Sequence, residues 1–318
     1  MKKITFYLLI LGILTACSKS NYVPINPHEN FVATVNTINP SLQFYSPTGK
    51  ELATWQFEYA YTGGVLIQQD RILMYGNQLN EAHIYEISTG RKLKTLEVDI
   101  GISNVFYDKE SKKFFMANSK TNEISAFDIQ GEFIGSLKLR HYPMSMDAYN
   151  GKLYVVNFKD TLLSVIDIDP FQVETEWVIP QGSHGVKVIP SKEEVWLGGH
   201  GAGAEPNRFV NMYDLNTGQL MKQLELPIMP VAIAERNDQR AIVSHGNSFL
   251  YVTDELGEIE KKIQVGANLF SVQFFAEYIV VAGYDDNMLY FIKDGQIAMK
   301  KQTLGGPFQL LVREANTK

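Results

Sequence analysis

The chain has 318 residues, a formal charge of −6, 45% hydrophobic and 20% charged side chains, a composition that supports a large core and is too apolar for disorder. The acidic balance argues against nucleic acid, whose affinity comes mainly from Lys and Arg neutralising phosphates. A single cysteine leaves no internal disulfide, so an exported form of this chain is stabilised by burial alone.

Residues 1–16 read as a secretion signal. Lys2 and Lys3 are followed by the apolar stretch Ile4 to Leu14, too short for a membrane-spanning helix, which needs ~20 residues, and the right length for a signal core. The segment Leu14-Thr15-Ala16-Cys17 resembles the lipobox of bacterial lipoproteins. That resemblance implies cleavage before Cys17 and a diacylglycerol on its thiol, and two acyl chains give a stable anchor. Loss of Lys2 and Lys3 moves the formal charge from −6 to −8. Residues 17–30, polar after Cys17 and with two prolines, read as a lipidated tether.

From residue 31 to 318 the chain reads as one all-β domain. Short β-rich runs alternate with turn residues, and no long segment shows helical periodicity. One strand-and-turn unit, Val210-Asn211-Met212-Tyr213-Asp214-Leu215-Asn216-Thr217-Gly218, has counterparts ending at Glu86, Asp128, Asp167 and Asp254. These acids are spaced by 42, 39, 47 and 40 residues, and each is expected to accept backbone N–H bonds in its turn. Weaker copies at Leu42–Gly49 and Leu289–Gly295 bring the number of repeats to seven. A period of ~40 residues with several short strands is the signature of a β-propeller.

Candidate innermost strands begin near Gly64, Ile102, Met144, His184, Pro230, Leu269 and Pro307, again seven. The first unit, opening at Phe31, lacks a first strand, and Pro307–Val312 is a first strand with no unit after it. The sequence therefore predicts a seven-bladed β-propeller of four-stranded blades, with the carboxyl-terminal strand completing the amino-terminal blade. Closure of this kind protects the sheet edges.

Lys152-Leu153-Tyr154-Val155-Val156-Asn157, Lys113-Phe114-Phe115-Met116-Ala117-Asn118 and Ser183-His184-Gly185-Val186-Lys187-Val188 resemble segments of the YVTN-type β-propellers, a family of exported bacterial repeat proteins. The resemblance extends over roughly residues 31–312 and implies a fold and an exported setting more than one activity. Tyr251-Val252-Thr253-Asp254 falls on a third strand, out of register with that family's motif, and WD40-type Trp-Asp pairs are absent.

The loops before first strands and after second strands share one face of a propeller. His184, His200 and His245 occupy such positions in blades five and six, flanked by glycines that allow close backbone approach. Histidine is the commonest metal ligand, yet these histidines also suit simple hydrogen bonding to neighbouring blades, and a metal-free ligand contact ranks ahead of a metal site. The spacing of 47 marks an insertion, His200 to Arg208, which adds Arg208 beside the histidines; insertions in repeat folds often mark the binding face. Asp285 and Asp286 lie at the corresponding loop of blade seven. The aromatics, 12% of residues, fall mostly on alternating strand positions and are expected in the core. No nucleophile elbow, phosphate loop, zinc helix or EF-hand loop occurs.

These features favour a membrane-anchored, extracytoplasmic binding or scaffold module for a protein, peptide or envelope polymer, needing no cofactor. The alternative is a channel-mouth enzyme or cofactor protein using His184, His200 and His245, such as a lactonase-like hydrolase or a metal-dependent oxidoreductase. A structural platform in a larger envelope complex is a third reading.

Overall fold

Runs such as Tyr154-Val155-Val156 are built of β-branched and aromatic residues, which favour extended backbone, and all three side chains are buried. Successive side chains of a strand point to opposite sheet faces. Both faces of such a strand must therefore be covered, and stacking blade on blade covers them. The computed structural model describes residues 22–314. Among these residues the chain forms seven four-stranded antiparallel sheets arranged as the blades of a β-propeller.

The innermost strands are Gly63–Ile67, Ile102–Asp108, Pro143–Tyr149, Ser183–Ile189, Pro230–Arg236, Leu269–Phe275 and Pro307–Arg313, each within one residue of its position expected from sequence. The last completes blade one. Phe31–Asn36 pairs with Ser41–Tyr45 on one side and Pro307–Arg313 on the other, in the register Val32 to Val312 and Thr34 to Leu310. Ring closure is thus a ladder between the two ends of the domain.

Seven hydrophobic clusters fill the seven spaces between consecutive blades. Leu153 and Val155 pack toward blade three, whereas Tyr154 and Val156 pack toward blade five. Trp196 and Met212 of blade five meet Ile242 and Tyr251 of blade six. Each fully buried side chain of this kind is worth about 1.5–3 kcal/mol, and every blade depends on both neighbours for it. The outermost strands are more exposed, as in Gln296–Gln302, where exposed and half-buried residues alternate along the strand.

Within a blade, first and third strands run away from the face bearing His184 and His200, here called the mouth face. The turns joining third to fourth strands lie at the opposite, or turn, face. Asp128 accepts the N–H groups of Gln130 and Glu132 at 2.9 Å each. Asp214 does the same for Asn216 and Thr217, and Asp254 for Leu256 and Glu258. Glu86 accepts the Thr89 hydroxyl at 2.7 Å. Asp167 departs from the pattern and pairs with Lys152 at 2.5 Å.

The described part of the segment read as a tether lies on the propeller. Tyr22 N–H donates to the Gly90 carbonyl at 3.1 Å and Ile25 N–H to that of Ile87 at 3.1 Å. The Tyr22 ring stacks on Trp55 at 5.0 Å, and Ile25 is 3% exposed. Arg313, buried at the end of the closing strand, donates to the carbonyls of Asn26, Glu29 and Gln69 at 2.6, 3.0 and 3.2 Å. One guanidinium therefore ties the entering chain, the closing strand and blade two together. Cys17 and the signal lie outside the described residues.

Candidate functional site

The site begins with a register that repeats from blade to blade. Phe158, His200, His245 and Tyr284 each immediately follow a second strand, in blades four to seven. His184, Phe270 and Phe308 each occupy the second position of an innermost strand, in blades five, seven and one. In blades seven and one the pairing shifts at that residue, between Leu269 and Ser271 and across Phe308. Such a bulge leaves one residue unpaired and re-aims its side chain, and here the residues concerned are Phe270 and Phe308.

These side chains form a continuous arc around one mouth of the central channel. Tyr142 lies 5.9 Å from Phe158, which lies 5.8 Å from His200. His200 packs edge to face on His184 at 5.6 Å and on His245 at 5.4 Å. His245 meets Phe270 at 4.4 Å, and Phe270 meets Tyr284 at 5.5 Å and Phe308 at 4.9 Å. All eight rings are half-buried. The Lys159 ammonium sits 4.6 Å from the Tyr142 ring centre, at one end of the arc.

The imidazoles are held neutral. Burial pushes the pKa of His200 down to about 4, helped by its two histidine neighbours. His184 is lowered by burial, opposed by the Val231 carbonyl. His245 is also lowered by burial, opposed by the Asp285 carboxylate and the Leu269 carbonyl. His184 Nδ1 lies 2.9 Å from the Val231 carbonyl. A carbonyl only accepts, so Nδ1 carries the proton and Nε2 offers a lone pair. The Nδ1 atoms of His200 and His245 are buried with no hydrogen-bond partner among the described residues.

The structure thus brings His184, His200 and His245 together. Their rings stack edge to face, and among the described residues no group of three or more His, Cys, Asp or Glu side chains is disposed to hold a metal ion. Arg208 does not join them. It lines a separate cleft with Ser183, Gly199 and Phe209, formed where the insertion folds into a two-residue ladder of Gly201–Ala202 with Glu205–Pro206. Asp285 accepts the Asn268 side-chain amide at 3.0 Å, and Asp286 accepts the Tyr290 hydroxyl. Strand alternation predicts the core for most aromatics, whereas Tyr142, Phe158, Phe270, Tyr284 and Phe308 line the mouth. The available signal was their position, since Phe158 and Tyr284 share the register of His200, and Phe270 and Phe308 that of His184.

Below the arc, a cavity of about 420 Å³ is lined by all seven innermost strands. Lys187 there is paired with Asp147 at 2.9 Å, and the Asp147 carboxylate holds its ammonium charged and its pKa up.

Residues 1–18 match the family described as the prokaryotic membrane lipoprotein lipid attachment site, and the protein is accordingly exported and anchored to a membrane through Cys17. No curated protein matches the chain. Among solved structures, a functionally unknown protein from Desulfotomaculum acetoxidans is similar over 90% of this chain and 100% of its own, with a TM-score of 0.77 and 10% identity. Kuenenia stuttgartiensis hydrazine synthase aligns over 91% of this chain and 100% of that one, with a TM-score of 0.74 and 14% identity. The dihydro-heme d1 dehydrogenase NirN, in complex with DHE, aligns over 93% of this chain and 66% of that one, with a TM-score of 0.67 and 11% identity. At these identities the likeness is one of fold, and a fold of this kind hosts many unrelated functions.

Proposed function

We propose that this protein is a membrane-anchored binding module, and that its ligand is a peptide or envelope-polymer segment seated across the mouth of the channel. The observation that carries this reading is the arc of eight half-buried rings from Tyr142 to Phe308. Aromatic side chains combine a large apolar surface with a rigid shape and lose little entropy on binding. The neutral imidazoles add polar ring edges without charge. The arrangement suits a ligand with an apolar face and scattered polar groups. The repeat registers also support kinship with the YVTN-type propellers, since Lys113–Asn118 and Lys152–Asn157 both form second strands.

The test is chemical cross-linking in intact membranes followed by capture of the full-length protein, comparing the wild type with a Phe270→Ala/Phe308→Ala form. A partner retained by the wild type and lost by the double variant is the expected result. Identical capture would remove the mouth from consideration. Hydrolysis of a lactone by the wild type, lost in His200→Ala, would instead favour the channel-mouth enzyme.

A further inference from the structure

The five-residue reach from Cys17 to Tyr22 has a consequence for how the propeller stands on its membrane. Tyr22 is fixed by its N–H bond to Gly90, and Ile25 by its bond to Ile87. Both acceptors belong to the turn between Glu81–Glu86 and Arg91–Glu97 of blade two, at the turn face. The Trp55 indole N–H donates to the Val23 carbonyl at 2.9 Å, and Arg313 holds Asn26 and Glu29 at the same end of blade one. The strap is therefore attached at both ends and along its length.

Five residue steps span at most about 17 Å, even fully extended. A seven-residue innermost strand such as Ser183–Ile189 separates the two faces by on the order of 20 Å, before the loops are added. A lipid at Cys17 cannot reach past the mouth from where Tyr22 is held.

A second observation falls at the same level. Leu93, Phe133, Val173, Leu220 and Ile259 are exposed by 46, 62, 39, 50 and 41%. All five lie within the first three residues of the outermost strand in blades two to six, which is the end nearer the turn face. Leu256, in the turn of blade six, is 69% exposed. Single exposed apolar residues are ordinary. Their recurrence at one height around five consecutive blades gives the turn side an apolar girdle suited to the headgroup layer of a bilayer.

We propose that the turn face, with this girdle, is applied to the lipid surface that anchors Cys17, and that the aromatic mouth points away from it. The strap and the short reach select this orientation, and the girdle supplies the contact. This inference stands apart from the identity of any ligand at the mouth, and its failure would leave that reading untouched.

The experiment uses the full-length lipidated protein in phosphatidylethanolamine–phosphatidylglycerol vesicles containing a nitroxide-labelled lipid. Acylation consumes the chain's one native thiol, so each introduced cysteine carries the only fluorescent label. Leu256→Cys and Ser191→Cys report from the turn face, Ala204→Cys and Gln181→Cys from the mouth side. Because the faces stand on the order of 20 Å apart, quenching at the turn-face positions is expected to be at least about twofold stronger. Equal quenching, or stronger quenching at Ala204→Cys and Gln181→Cys, would overturn the proposal. Inserting ten Gly and Ser residues immediately before Tyr22 is expected to abolish the difference. A difference that survived this insertion would overturn the short reach as its cause.

Discussion

His200 shows how the arc couples to solution conditions. Its folded-state pKa of about 4 lies below the ordinary histidine value of 6.5, so the unfolded chain takes up a proton that the native chain refuses. Stability contributed by the neutral ring is present above pH 6.5 and is lost as the pH falls toward 4. His184 and His245 are shifted in the same direction. Carboxylates such as Glu123 and Asp214, lowered by their hydrogen bonds, also weaken the fold in acid, so the useful quantity is a difference between variants. His200→Phe keeps the edge-to-face contacts and removes the titration. Its urea midpoint should fall less than that of the wild type between pH 6.5 and 4, and parallel curves would show that the His200 proton is not linked to folding. At this scale the sequence was half legible. The histidines stood out because histidine is rare in the chain, with six in 318 residues. Phe270 and Phe308 were hidden because a bulge breaks the period-two alternation at those positions, and alternation is the signal that separates core from rim.

Among elements, the blades were readable because each repeats the same four strands, and the turn acids marked their ends at nearly constant spacing. The strap was not readable as structure. Its two prolines and polar residues describe a tether equally well, and what fixes it is backbone hydrogen bonding: its carbonyls accept from Arg313 and Trp55, and its Tyr22 and Ile25 N–H groups donate to carbonyls of the blade-two turn. Backbone acceptors leave no trace in composition. Arg313 is the critical member, 1% exposed, with donors to three carbonyls and its guanidinium 4.4 Å from the Phe31 ring centre. Arg313→Ala leaves those carbonyls short of partners and opens a cavity beside Phe31. A loss of roughly 2–4 kcal/mol is expected from unsatisfied buried acceptors and lost packing, measurable by urea denaturation. Removing Pro307–Lys318 altogether would expose the edge of Phe31–Asn36, and unpaired edges recruit other chains. That truncated form should elute as larger species than the full-length protein in size-exclusion chromatography.

For the whole molecule, the strap from Tyr22 onward and the mouth sit at opposite ends of the innermost strands and share no residue. Packing transmits stability around the ring, since each blade is buried by both neighbours, yet the chemistry stays local to four blades and the closing strand. On the proposed reading, the anchor sets the concentration and the facing of the mouth, and the arc sets its affinity. A Cys17→Ala form freed from the membrane should bind a purified partner at the mouth with the affinity of the lipidated protein, within about threefold, because no contact in the arc depends on the lipid. In membranes, where tethering replaces three-dimensional search, the same change should sharply reduce occupancy at equal total protein. Titration calorimetry on the soluble form, set beside cross-linking yield in membranes, measures the two effects separately. Joint loss of both would mean that the lipid surface is part of the binding site, which would require the mouth to face the membrane.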